Sequence, residues 1–363
     1  MKKNILLTLS LIIFFAVGNA QSFIKITVSK SDTSSLKNSL FNSDTILSIT
    51  LKGDIRKLLN NRTGENNYIP IILSYKEEDS NQIYLPIGVK TRGHFRREKG
   101  NCLYPPLLLH FSNTNAPSLF PENTSLKLVM PCRGEDFIIH EWLVYKLYNL
   151  ITPQSFKARL VKVRLEDTGN KKMPSAFYGI ILEEDQEMAR RNNDIILKKK
   201  ISPQQTTNGP FIKMAVFEYL IGNTDWSVEF LQNIKLIAHD STSEPVAVPY
   251  DFDLSGIVNA PYAKPAEELN MSSVHERRYR GYCVKDPKIF DSSIVFYNRL
   301  KNDIYKTYTD CSLLDKKYIT ETLKYLDEFY STINNPKAFQ KAFEYPCNPN
   351  GTGNVIIKGL KEE

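Results

Sequence analysis

FIIHEWLVYKLYNL, residues Phe137 to Leu150, is the stretch on which the fold turns. Its Ile139, Leu143, Leu147 and Leu150 follow at spacings of four, four and three, so they share one face of a helix. Upstream the pattern is different. Phe23 to Val28, Ile46 to Leu51, Tyr68 to Tyr75, Ile87 to Arg92, Leu107 to Phe111 and Ser125 to Met130 are short β-type runs joined by polar turns. Downstream, Val161, Val163 and Leu165 alternate with Lys162 and Arg164, the signature of a half-buried strand, and Phe177 to Leu182 supplies another. Strands, one helix and more strands predict an α+β fold with a mainly antiparallel sheet.

The second half reads as more helical. Phe211 to Ile221 forms a helix ending at Gly222, and strands are expected at Asn233 to Ala238 and Val246 to Tyr250. Ile294, Tyr297, Leu300, Ile304 and Tyr308 line one face of a further helix. Ile319, Leu323, Leu326 and Phe329 line another, with Asp315 available as its N-cap. Such stripes are expected to pack a core. The division that follows is a sheet-rich part over residues 21–190, a helical part over 191–347 and a polar tail over 348–363.

The 363 residues are 42% hydrophobic and 24% charged, which excludes a disordered or collagen-like chain. Against 40 Asp and Glu stand 47 Lys and Arg; the net +7 is too small an excess to mark a nucleic-acid binder. Lys2 and Lys3, the apolar run Ile5 to Val17 and then Gly18-Asn19-Ala20 have the three parts of a secretory signal, so residues 1–20 are expected to be removed. No later stretch is long and apolar enough to span a bilayer, so export without a membrane span, to a periplasm or beyond, is expected. An oxidising compartment makes the five cysteines candidates for disulfides. Cys102 and Cys132 flank two neighbouring strands, Cys311 and Cys347 bracket a helical segment, and these are the expected pairs. None forms a CxxC motif, which disfavours zinc.

Polar groups gather between Glu218 and Asp253. Gly222-Asn223-Thr224-Asp225 follows a helix end, Asn233 opens a strand, and Asp251-Phe252-Asp253 follows the next strand. Carboxylates at a strand end beside a loop with Asp and then Asn are how a hard cation collects oxygen ligands, and magnesium takes one or two carboxylates plus substrate phosphates. Each Asp alone could be a turn or cap residue; the ordered set points to a metal and phosphate site. His94, His110, His140, His239 and His275 form no HExxH pattern and there is no GxSxG elbow, which disfavours metalloprotease and serine-hydrolase chemistry.

The order of these pieces resembles the CotH-like kinases, and more closely an uncharacterised exported branch of them. VKTRG (Val89 to Gly93), PPLLLHF (Pro105 to Phe111), KLVMPCRG (Lys127 to Gly134), FYGIILEED (Phe177 to Asp185), FEYLIGNTDWS with NIKLI, and VPYDFDLSG (Val248 to Gly256) appear in sequence. NAPYAKP (Asn259 to Pro265) and RYRGYC (Arg278 to Cys283) are shared with the exported branch. The resemblance implies a two-lobed protein-kinase-like fold, with a sheet-rich N-terminal lobe, a helical C-terminal lobe and a cleft between them. It also implies ATP with Mg or Mn as cofactors and transfer of phosphate to a hydroxyl-bearing acceptor, such as an envelope protein. In this likeness Asp225 takes the place of the catalytic Asp, Asn233 and Asp251 those of metal ligands, and Asp253 that of a second carboxylate. Leu108 stands where the family commonly has a basic residue, so Arg92 or Lys127 is left to hold the nucleotide phosphates. Glu141, on the exposed side of the first helix, is the expected partner of such a cation. The Arg92, Arg96, Arg97 and Lys99 cluster, with Lys198 to Lys200 and Arg277, Arg278 and Arg280, is either a basic rim for a polyphosphate or solvated surface. The alternative function is a binding or assembly module of the cell envelope that keeps the fold without its catalysis.

Overall fold

The computed structural model describes residues 39–63, 66–76, 82–112, 118–169 and 173–348. The signal segment, the strand expected at Phe23 to Val28 and the tail beyond Asn348 lie outside the described residues. Among the described residues the fold is mixed α+β with seven α-helices. Seven strands come first: β1 (Leu47–Gly53), β2 (Ile69–Lys76), β3 (Gln82–Thr91), β4 (Leu107–Phe111), β5 (Thr124–Val129), β6 (Ala158–Asp167) and β7 (Phe177–Leu182). They close into a barrel in the order β1-β2-β3-β4-β5-β7-β6. All neighbours are antiparallel except β1 and β6, whose parallel pairing seals the barrel with Leu47 opposite Val161 and Gly53 opposite Asp167.

Alternation explains the closure. Leu47, Ile49 and Leu51, then Ile71, Leu73 and Tyr75, then Leu85, Ile87 and Val89 point inward to one buried cluster with Leu107, Leu109, Leu126, Leu128, Val161, Val163 and Ile181. The neighbouring positions on β6 and β7 are apolar as well. Leu160, Ile180 and Leu182 face out of the barrel and join a second cluster formed with the helices. Strands buried on both faces read as continuous apolar runs, which is why Phe177 to Leu182 shows no polar alternation.

Helix α1 (Ile55–Asn60) follows β1, and α2 (Asp136–Ile151) is the Phe137 to Leu150 segment. Helix α2 is buried on nearly every side, against the barrel's outer face and the helical core, with Ile151 buried in place of the 43% exposed Leu150. After β7 come α3 (Asp185–Arg191), β8 (Ile195–Leu197) and α4 (Asn208–Ile221), then β9 (Ile234–Ala238) and β10 (Val246–Pro249). β8, β9 and β10 form a small antiparallel sheet with β9 in the middle. Helices α5 (Asp291–Thr309), α6 (Lys316–Ile333) and α7 (Pro336–Phe343) close the fold. Helix α6 starts where expected, with the Asp315 carboxylate accepting from the Tyr318 N–H. Among the described residues no helix is long and apolar enough to cross a membrane.

Two disulfides are present. Cys102–Cys132 forms as expected and ties the segment after β3 to the loop between β5 and the helix that begins at Asp136. The expected Cys311 to Cys347 bridge does not form. Cys347 bonds Cys283, and Cys311 is a half-buried free thiol at the end of α5. The reason is the path of the RYRGYC segment, which runs beside the end of α7, where Arg278 donates to the Tyr345 hydroxyl and covers its ring. Disulfides of this kind persist in oxidising compartments, consistent with an exported protein.

Candidate functional site

Helix α4 carries apolar residues around its whole circumference because it runs through the core. Gly222 ends it in the left-handed region at φ 68°, and a Cβ there would lie 2.1 Å from the Tyr325 hydroxyl. The chain then turns back on itself. Gly256 and Ile257 donate backbone bonds to the Gly222 and Ile221 carbonyls at 3.1 and 3.0 Å, and Tyr250 donates to the Asn233 carbonyl at 3.0 Å. Three loops are thereby fixed side by side, holding Asp225, Asn233 and Asp251.

Asp225 is gripped from several directions. The Asn233 amide donates to its Oδ2 at 2.9 Å and to its backbone carbonyl at 2.8 Å, and Gln232 donates to its Oδ1. Asn223 accepts from the Asp225 N–H at 3.0 Å. Leu231, Asn233 and Asp251 all adopt left-handed backbone, with φ of 53°, 51° and 63°. For a bulky residue such as Leu231 that conformation is strained, and strain of this kind collects at functional sites. The Tyr145 hydroxyl on α2 accepts from the Asp251 N–H at 2.9 Å and anchors that residue.

The carboxylates feel one another. Burial and then Asp251 push Asp225 up to about 6, and the same two causes push Asp253 up to about 7. Tyr262 donates to Asp253 at 3.0 Å. Burial lowers Arg280 to about 10 even though Asp225 favours its charge. Among the described residues no three His, Cys, Asp or Glu side chains stand close enough to hold an ion alone. The donors that fit a cation are therefore Asp251, Asp253 or Asp225 with the remaining oxygen of Asn233, completed by oxygens of a substrate.

Beside these carboxylates lies a group of cations. Lys127 on β5 and Lys235 on β9 bind opposite oxygens of Asp185, at 2.8 and 2.9 Å, and both ammonium groups lie over the Tyr250 ring, at 5.1 and 5.4 Å from its centroid. Burial lowers Lys127, with Arg92 and Lys235 adding to the effect against Asp185. Burial would raise Asp185, but the two lysines hold it below its ordinary value. Lys127 and Lys235 thus lie over Tyr250, with Arg92 near enough for its charge to act on both lysines, and the next residue is Asp251.

Glu141 is not where the helix face predicted. It is 1% exposed, and its cation is Arg96, 3.9 Å away, rather than Lys127. The basic rim does not form as a unit either: Arg96 reaches inward to Asp253, and Arg277 stacks on Tyr325 and donates to the Leu220 and Tyr325 carbonyls. Gln232, Lys235, Asp185 and Tyr262 are not singled out as site residues by their sequence positions, and Arg96 is singled out only as part of the basic cluster. Asp185 and Lys235 do lie inside the FYGIILEED and NIKLI stretches, as the only charge in the latter.

No family model matches the chain, and no curated protein matches it. Among solved structures, the crystal structure of a Helicobacter pylori proinflammatory kinase, CtkA, is similar with a TM-score of 0.40 and 12% identity, over 69% of this chain and 96% of that one.

Proposed function

We propose that the protein is an exported kinase of the CotH-like kind, which transfers the terminal phosphoryl group of ATP to a hydroxyl acceptor. The barrel and the helical part are the two lobes of this reading. One observation carries it: the Lys127 and Lys235 ammonium groups lie over the Tyr250 ring, and the next residue, Asp251, acts through its charge on Asp225 and Asp253. A nucleotide's phosphates need both, cations against their oxygens and carboxylates for the ion they carry. Mg or Mn bound there would neutralise charge on the phosphate oxygens.

In this reading Lys127 and Lys235 bind phosphate oxygens, while Asp251 and Asn233 face the cation. Asp225 is the base. Its carboxylate is aimed by Gln232 and Asn233, and with its pKa raised to about 6 it is ionised at neutral pH yet basic enough to take the acceptor's proton. The acceptor oxygen bonds to the γ-phosphorus, the bond to the bridging oxygen breaks, ADP leaves, and the proton passes from Asp225 to solvent.

The test is incubation of the purified protein with labelled ATP and Mg or Mn, beside Asp225→Ala and Asp251→Ala. Labelling of the protein or an added envelope fraction by the wild type alone supports the reading. A wild type that neither labels anything nor changes its melting temperature with nucleotide overturns it. A nucleotide-dependent shift without labelling supports the envelope binding module instead.

A further inference from the structure

Helix α6 presents two tyrosines, Tyr318 and Tyr325, seven residues apart and so on one face, to the junction from which the carboxylate loops spring. Asp225 lies three residues beyond Gly222 and Asp253 three before Gly256, and the Gly256 N–H bond to the Gly222 carbonyl joins the bases of the two loops. The tyrosines meet this junction differently. Tyr318 donates its hydroxyl to the Ile257 carbonyl at 2.7 Å. The Tyr325 hydroxyl is buried, has no hydrogen-bond partner among the described residues, and lies against both glycines: a Cβ on Gly222 would overlap it, and one on Gly256 would lie 2.7 Å from it. Its ring is held in place. The Arg277 guanidinium covers it 3.5 Å from the centroid and donates to the Leu220 and Tyr325 carbonyls, which ties the end of α4 to α6, while the His275 ring stands edge-on at 6.2 Å.

We propose that Tyr325 is a positioning residue whose hydroxyl acts as a spacer, setting the separation between the Asp225 loop and the loop of Asp251 and Asp253. The inference rests on the kinase reading for the chemistry that the spacing serves, not for the spacing itself. A buried hydroxyl without a partner costs stability, and phenylalanine would fill the rest of the space without that cost. Keeping the oxygen therefore calls for a reason other than stability, and contact with the bases of both loops supplies one. Burial raises the hydroxyl to about 12, so at neutral pH it is an uncharged O–H that adds bulk without adding charge. Phosphoryl transfer depends on positioning, and a misplacement of about 1 Å can cost about a hundredfold, so a spacer one atom thick is enough to matter.

The expected signature is a gain in stability with a loss of activity. The experiment compares purified wild type, Tyr325→Phe and Tyr318→Phe by thermal midpoint, by deuterium exchange at the Gly256 and Ile257 amides, and by labelling with ATP and Mg2+. Tyr325→Phe is expected to raise the midpoint by a few degrees, to speed exchange at these two amides about tenfold, and to slow labelling about tenfold with nucleotide affinity unchanged. Tyr318→Phe removes a hydrogen bond that is made and should lower the midpoint. Gly222→Ala should lower the midpoint less in the Tyr325→Phe chain than in wild type, because the added methyl enters space the hydroxyl has left. A Tyr325→Phe that does not fold, or whose midpoint and labelling fall together, overturns the proposal, since the hydroxyl would then only support the fold. Unchanged exchange, or unchanged labelling beside an active wild type, overturns it as well. A wild type that labels nothing, with a raised midpoint and faster exchange in Tyr325→Phe, would retain the spacer and count against the kinase reading.

Discussion

Asp225→Asn is expected to make the metal-free protein more stable while abolishing its proposed chemistry. Burial and the neighbouring Asp251 raise the Asp225 carboxyl from 3.8 to about 6. That rise spans about two pH units at about 1.4 kcal/mol each, so holding Asp225 ionised in the folded chain costs about 3 kcal/mol relative to the unfolded chain. Asparagine has no charge to desolvate. It does turn one N–H2 toward a donor, but the Gln232 amide can rotate to accept, since its Oε1 has no hydrogen-bond partner among the described residues. The sign follows from the direction of the shift. A carboxyl raised in the folded state holds its proton more tightly there, so its contribution is fully present below about pH 4 and is lost as pH rises through about 6. Urea unfolding of wild type and variant in a chelator, at pH 4 and pH 8, measures it. The variant's advantage should grow by about 3 kcal/mol between the two. Glu141 and carboxyls remote from Asp225 titrate in both proteins and largely cancel; Asp253 and Glu218, which both feel Asp225, make the cancellation incomplete. A difference independent of pH, or a variant less stable than wild type at pH 8, would refute the account of Asp225 as a carboxylate strained by its surroundings.

Three further outcomes are expected. Lys235→Met should weaken nucleotide binding about tenfold, as loss of one charge-assisted phosphate contact does, and an unchanged affinity in a fluorescent-nucleotide titration would remove Lys235 from the site. Cys347→Ser opens a loop spanning 64 residues and should lower stability by about 4 kcal/mol on the chain-entropy estimate, whereas Cys311→Ser should leave it within about 1 kcal/mol. Denaturant curves compare the two, and unreduced peptide maps should join Cys283 to Cys347. Gly222→Ala should cost about 2 kcal/mol or more, from the left-handed backbone and the displaced Tyr325 hydroxyl, with a lower thermal midpoint as the readout.

What could be read in advance depended on how local its cause was. β4 and β7 run over the residues expected because each is an apolar run closed off by turn residues, and Gly222 marks the end of α4 because an αL cap needs it. Helices α1, α3 and α7 were missed; α1 buries only Ile55 and Leu58, too few to show a period. Barrel closure was also invisible. It depends on Leu47 meeting Val161, a contact between residues more than a hundred positions apart that neither strand's pattern encodes. In the site, the Asp225 and Asn233 contact was foreshadowed by their places at the two ends of one short loop, while the Lys127, Asp185 and Lys235 grouping joins three separate elements.

The reassignment of Glu141 shows how one wrong burial reading propagates. On a helix with a single apolar face, the position two residues beyond Ile139 points to water, and an exposed carboxylate there would be free to meet a phosphate-binding lysine. Helix α2 has no such free face, since the barrel covers one side and the helical core the other. Its carboxylate is therefore pressed into the interior beside Asp253, where only a cation delivered by another segment can balance it. Arg96 is delivered by the disulfide-anchored segment, and Lys127, left without a partner on α2, takes Asp185 at the start of α3. The two exchanges are one event: burying Glu141 separates the ion pair that orders the acidic side from the ion pair that orders the phosphate side. Each side can then be perturbed alone, so Arg96→Gln should lower the urea midpoint by leaving Glu141 and Asp253 buried without their cation, while Lys235→Met should weaken nucleotide affinity and leave the Arg96 pairing intact.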